Sequence, residues 1–188
     1  MSAKDTPDRK QTPGALAWID LEMTGLDPQR DAILQAAVIV TDAELKPLES
    51  YVCDVWQPPG ALDAMVPFVR AMHEKNGLLD RLAVSEVDVA RAEQELLVRV
   101  AGWCPYPATI CGNSIGSDKG FIERWMPGLA GYLHYRVLDV SSLKLLAKMW
   151  NPSARFAKPT TREHDALFDI ENSIAELAHY RKHLLKQP

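Results

Sequence analysis

Residues 15–22, ALAWIDLE, set two carboxylates, Asp20 and Glu22, one residue apart inside an apolar run. Such a run reads as a buried strand, and strand side chains at i and i+2 point to one face. Two like charges buried on one face are costly unless a cation lies between them, and a divalent metal ion meets that need. The plainer alternative is a solvated strand edge. The apolar neighbours Ile19, Leu21 and Met23, and the turn-like Thr24-Gly25-Leu26-Asp27-Pro28 that follows, favour the metal site.

The rest of the chain alternates elements rather than repeating them. Residues 32–42 and 46–56 read as two further strands, which with the first make an antiparallel meander. Residues 58–82 carry no clear period. Ser85 with Asp88 resembles a capping pair opening a helix through about residue 102, with Val89, Leu96 and Val100 on its buried face. Residues 108–111 form a short strand, Ser117 caps a helix through Trp125 that Pro127 stops, and residues 136–140 form a last strand. A helix over 141–150, a polar loop over 151–163 and a final helix over about 165–185 follow. The apolar stripe of that last helix is Ala166, Ile170, Ile174 and Leu177. Three strands followed by helix–strand alternation predict an α/β fold, a mixed sheet flanked by helices.

Length and composition suit one soluble domain: 188 residues, 47% hydrophobic and 24% charged. Residues 1–14 are polar with two prolines and read as a flexible tail, leaving 15–188 as the domain. With no leader-like or spanning segment, the sequence predicts a cytoplasmic protein and no membrane contact. Cys53, Cys104 and Cys111 lack metal or disulfide spacing and are expected to be buried thiols. A net charge of -4 argues against a long basic groove for duplex nucleic acid but permits a short substrate held through metals. Trp18, Trp103, Trp125 and Trp150 read as packing residues.

Two further acids stand out. Asp118 lies at the start of its helix, after GNSIGS, where free backbone N–H groups favour a carboxylate, although an ordinary first-turn aspartate looks the same. Asp169 lies beside the apolar stripe of the last helix, where a solvent-facing boundary residue is the alternative. His164 is five residues earlier, a rotation of about 500° on a regular helix, so both reach one site only if His164 sits on the preceding loop. Together Asp20, Glu22, Asp118 and Asp169 suggest hard oxygen ligands for two Mg²⁺ or Mn²⁺ ions in a phosphodiesterase site. His164 is then the general base.

The segments WIDLEMTGLD, ICGNSIGSDKGFIERWMPGLAGYLHYRVLDVSSLK and HDALFDIENSIAELAHYR occur in that order. On them the chain resembles the oligoribonucleases of the DEDDh exonuclease superfamily, with a looser match over residues 53–107. The resemblance implies an RNase H-like fold and a homodimer. It implies a 3′-to-5′ exoribonuclease that clears very short single-stranded RNAs, dinucleotides above all, to nucleoside 5′-monophosphates. It puts the metal ligands on Asp20, Glu22, Asp118 and Asp169 and the base on His164. It also implies a wedge between the bases at Leu26, 3′-end contacts at Ser114 and Ser141, and a further substrate-side residue at His73. The segment His134, Tyr135 and Arg136 resembles the part offered by the partner subunit to the 5′ phosphate, though a plain strand entry fits it too. Phe68 stands where the family has tryptophan, Ser117 where it has glutamine, and Phe168 where a second acid is common; these bear on affinity rather than chemistry. The rival expectations are a related nuclease acting on longer single strands, and a silent dinucleotide-binding module, which would have no need of a general base.

Overall fold

The computed structural model describes residues 11–159 and 165–185. Five strands, β1 (Leu16–Met23), β2 (Ile33–Thr41), β3 (Pro47–Asp54), β4 (Ala108–Gly112) and β5 (Leu133–Asp139), make one sheet in the order β3-β2-β1-β4-β5. The first three form the expected antiparallel meander, while β4 and β5 join parallel to β1. The helices among the described residues are α1 (Pro59–Asp63), α2 (Pro67–Lys75), α3 (Leu78–Leu82), α4 (Val89–Trp103), α5 (Gly116–Trp125), α6 (Pro127–Tyr132), α7 (Val140–Trp150) and α8 (Ala166–His183).

Both faces of the sheet are covered, which is why β2 is buried along its whole length. On one face Ile19, Leu21, Val38 and Val40 pack with Leu96 and Val100 of α4 and Phe121 and Ile122 of α5. On the other, Trp18, Ala37 and Ile39 pack with Ala147 of α7 and Ala166, Ile170 and Tyr180 of α8. Asp20 and Glu22 share the Trp18 face by strand alternation, so their carboxylates emerge beneath α8.

Several boundaries differ from the sequence reading. The cap of α4 is Asp88, which accepts from the Arg91 N–H at 2.7 Å; Ser85 instead donates to the Asp54 carbonyl. Ser117 caps nothing: α5 begins at Gly116, and Ser117 lies in its first turn. Pro127 ends α5 and also opens α6, since a first-turn position has no hydrogen bond for proline to lose. Strand β5 starts at Leu133, three residues early, because Leu133 already pairs with Ala108. Trp150 is no packing residue: it is 74% exposed at the end of α7, where Leu145 and Met149 are exposed as well. The uncertain stretch after Pro58 holds α1, α2 and α3, the first two opened by proline. The three cysteines are buried and unpaired. Of the expected tail, residues 1–10 lie outside the described residues; the Thr12 N–H donates to the Trp103 carbonyl at the end of α4.

Because β1, β4 and β5 run the same way, their carboxyl ends at Met23, Gly112 and Asp139 share one rim, the usual ligand side of parallel strands. Strand β1 follows β2 to Met23 but pairs with β4 only from Leu16 to Trp18. The sheet therefore splits where Asp20 and Glu22 sit. Gly112 allows the split to stay narrow: a Cβ there would lie 3.2 Å from the Ile19 carbonyl oxygen and 2.9 Å from Ile115 Cδ1.

Candidate metal centre and substrate cleft

Carboxylate oxygens of Asp20, Glu22 and Asp169 all lie within 4.8 Å of one another. Asp169 enters from the first turn of α8, one turn beyond Asp165, whose side chain caps that helix on the Phe168 N–H. Asp118 is buried on α5, and its Oδ1 accepts from the Leu21 N–H at 2.9 Å, a strand donor left over where β4 has parted from β1. Of the four predicted ligands, then, three share one small volume and the fourth abuts them through the backbone between Asp20 and Glu22.

The cluster is electrostatically incomplete. Burial, then the negative charges of Asp169 and Asp118, pushes Glu22 from 4.5 up to about 8. Burial also lifts Asp20 well above the ordinary carboxylate range, reinforced by Asp118, Glu22 and Asp169. Asp118 rises to about 7 through burial, against the pull of its backbone hydrogen bonds. Among the described residues one protein cation enters: Lys158 Nζ lies 2.7 Å from Asp169 Oδ1 and opposes the upward shifts of Asp20 and Glu22. Clustered oxygen donors, excess negative charge and a split sheet fit a hard divalent ion, with Asp20, Glu22 and Asp169 as its holders and Asp118 beside them.

Around this centre the other sequence candidates take distinct positions. Leu26 is 83% exposed on the turn after β1. That turn is tightly organised: Asp31 accepts from the Asp27 N–H at 2.8 Å and from Thr24 Oγ1 at 3.2 Å, and the Trp125 indole donates to the Pro28 carbonyl. Gly25 is required there, since a Cβ would meet the Asp31 carboxylate at 2.4 Å. Phe68 is 78% exposed on α2. His73 is fully buried on α2, with Nε2 3.0 Å from the Met23 carbonyl oxygen, where it ties α2 to the end of β1. Ser114 and Ser141 meet, Oγ to Oγ at 3.1 Å, after the ends of β4 and β5. Tyr135 and Arg136 lie on the edge strand β5, with the Arg136 guanidinium 5.1 Å from the Tyr135 ring centroid, away from the carboxylates in sequence and on a free sheet edge. His164 lies outside the described residues.

Residues 17–177 match the RNase T exonuclease family model. An oligoribonuclease of Ectopseudomonas mendocina is 47% identical over 178 residues, covering 94% of this chain and 99% of its own. That of Pseudomonas aeruginosa strain PAO1 is 48% identical with the same coverage. The chain belongs to the oligoribonuclease family of exonucleases. Among solved structures, exonuclease I of Methylocaldum szegediense superposes with a TM-score of 0.71 at 20% identity over 89% of this chain, and another exonuclease I with 0.68 at 16% over 90%. The chain spans 40% and 41% of those two longer proteins, and the likeness confirms the RNase H-like fold.

For this oligoribonuclease-family chain, sequence reading missed several residues that build the site. Lys158 gave no signal, being one lysine in a polar loop. Asp31 looked like loop polarity, although Thr24-Gly25 with an acid downstream is a turn pattern that could have found it. Asn113 and Glu176 were overlooked as well. Glu176 is an acid on the buried side of α8, only 2% exposed, and an interruption of the apolar stripe was its available sign.

Proposed function

We propose that this member of the oligoribonuclease family is a 3′-to-5′ exoribonuclease that degrades very short RNAs, 5′-phosphorylated dinucleotides above all, to nucleoside 5′-monophosphates. The observation that carries the reading is the meeting of Asp20, Glu22 and Asp169, with Asp118 beside them, at the split end of the sheet. Two divalent cations, Mg²⁺ or Mn²⁺, bound there would activate the attacking water and stabilise the leaving 3′ oxygen.

The chain's own residues do the rest. Asp20, Glu22, Asp118 and Asp169 hold the charge. His164, just before the Asp165 cap of α8, takes the proton from the attacking water as general base. Leu26, on a turn stiffened by Asp31, parts the two bases, and Phe68 stacks on one of them. The Ser114–Ser141 corner receives the 3′ end, and His73 supports the Leu26 turn from behind through Met23.

The active form is a homodimer in this reading. Edge strand β5, with Tyr135 and Val137 exposed, and the exposed Leu145, Met149 and Trp150 of α7 offer apolar surface to a second copy. Tyr135 and Arg136 then reach the other subunit's substrate and bind its 5′ phosphate, which favours a two-base ligand over a longer strand. None of the described helices is long and apolar enough to cross a membrane.

Turnover of 5′-phosphorylated RNAs of two to seven nucleotides with Mg²⁺ tests the reading. The dinucleotide is expected to be cleaved far faster than the heptamer. Equal rates at all lengths would indicate a general single-strand exonuclease, and tight binding without cleavage a silent binding module.

A further inference from the structure

Behind Ser114 lies a buried chain of hydrogen bonds whose directions are fixed from one end. Glu176 receives only donors: the Tyr180 hydroxyl on Oε1 at 3.0 Å, with Lys144 Nζ 3.9 Å from the same oxygen, and Asn113 Nδ2 on Oε2 at 3.1 Å. Asn113 Nδ2 also donates to Ser173 Oγ at 2.9 Å, and Ser173 has spent its own proton on the Asp169 carbonyl at 2.9 Å. Two acceptors thus hold the Asn113 amide nitrogen inward and turn its oxygen outward. Oδ1 accepts the Ser141 hydroxyl at 3.1 Å.

The consequence passes along the chain. Ser141 Oγ has one proton, given to Asn113, and two lone pairs, one met by the Ser114 N–H at 2.8 Å. Its remaining lone pair faces Ser114 Oγ at 3.1 Å, so Ser114 must be the donor in that contact. Ser114 Oγ is then left with lone pairs only, on an exposed residue held at φ 53°, a strained conformation for a residue other than glycine. The Asp139 carboxylate pins the same turn by accepting the Ser114 N–H at 3.0 Å and the Ser141 N–H at 2.9 Å.

We propose that Glu176 is a positioning residue for substrate selection: acting through Asn113 and Ser141, it makes Ser114 an obligate hydrogen-bond acceptor, so the corner takes a terminal ribose hydroxyl and refuses a terminal phosphate. This inference rests on the reading of the corner as the 3′-end subsite. A ribose hydroxyl can donate to Ser114 Oγ, whereas phosphate oxygens would meet its lone pairs and the Asp139 charge. With Gln at position 176 the side chain can donate, Asn113 can turn over, and the whole chain of directions can reverse.

The test compares kcat/KM on a dinucleotide ending in a 3′ hydroxyl with one ending in a 3′ phosphate, for wild type and Glu176→Gln. Wild type is expected to prefer the hydroxyl by on the order of 10²-fold. Glu176→Gln is expected to shrink that preference by about tenfold, mainly through KM, the worth of one reversed hydrogen bond. A variant that loses activity on both substrates equally, with the preference intact, overturns the proposal. Should Glu176→Gln fail to fold, Asn113→Ala, which cuts the chain between Glu176 and Ser141, serves instead: a reduced preference supports the proposal and an unchanged preference overturns it. Failure of the underlying subsite reading is visible separately, as a wild type that cleaves both ends alike, and the proposal then falls with it.

Discussion

Two buried acidic regions stand within one layer of each other and differ in a single respect. Glu176 sits among protein donors, from Tyr180 and Asn113, that satisfy both its oxygens. Asp20 and Glu22 face Asp169 and Asp118, and among the described residues one lysine, Lys158, stands against these four acids. A buried carboxylate completed by its own chain serves the architecture; carboxylates turned toward each other store a deficit that a bound proton or an added cation relieves. Burial alone would not separate the two, since Glu22 and Glu176 are both buried. The partners do.

The contrast breaks most visibly in turnover. Asp118→Asn keeps an acceptor for the Leu21 N–H but removes a charge from the deficient cluster, and is expected to abolish turnover, by on the order of 10³-fold or more, while the fold is retained. Circular dichroism with calorimetric Mn²⁺ titration checks both halves; a variant with normal metal affinity would detach Asp118 from the cluster. His164→Ala is expected to lower kcat by about 10²-fold with little change in KM, and equal losses in binding and turnover would count against its role as base.

Stability sharpens the same contrast with opposite signs. Glu176→Ala orphans donors from Tyr180 and Asn113 and is expected to destabilise the protein by about 1–3 kcal/mol for each. Glu22→Gln removes a repelled charge and is expected to stabilise the metal-free protein by on the order of 1–3 kcal/mol, while weakening metal binding. Denaturant melts with and without chelator read both, and destabilisation of the metal-free protein by Glu22→Gln would mean that the cluster is not in deficit.

The same contrast shows in pH dependence. Glu22 titrates at 4.5 when unfolded and about 8 when folded, so across that window the metal-free folded state holds a proton that the unfolded state has lost. Stability of the metal-free protein therefore falls as pH rises from about 4.5 toward 8, and the same sign holds for Asp118, which rises from 3.8 to about 7. Added Mg²⁺ or Mn²⁺ should restore the melting temperature, with a larger gain at the alkaline end. Glu22→Gln should flatten the metal-free slope.

Legibility in the sequence followed the range of the interactions. The meander, α4, α7 and α8 were readable because strand alternation and helical stripes are local. The boundaries that moved at Ser85 and Leu133 moved because a distant partner claimed the residue: the Asp54 carbonyl for Ser85, and Ala108 for Leu133. Trp150 misled because an apolar residue on an amphipathic helix is equally suited to the core and to an exposed face.

The sequence by itself determined that two carboxylates would share one face of a buried strand, that further acids would follow on two helices, and which family carries those motifs. All of these are written in local spacing. Only the tertiary structure decided that Asp118 would use its carboxylate on the Leu21 N–H, that Lys158 would stand beside Asp169, and that Glu176, Asn113, Ser141 and Ser114 would be joined by one chain of hydrogen bonds. Those contacts join residues far apart in the chain, and a hydrogen bond has a direction only when every donor and acceptor around it is in place.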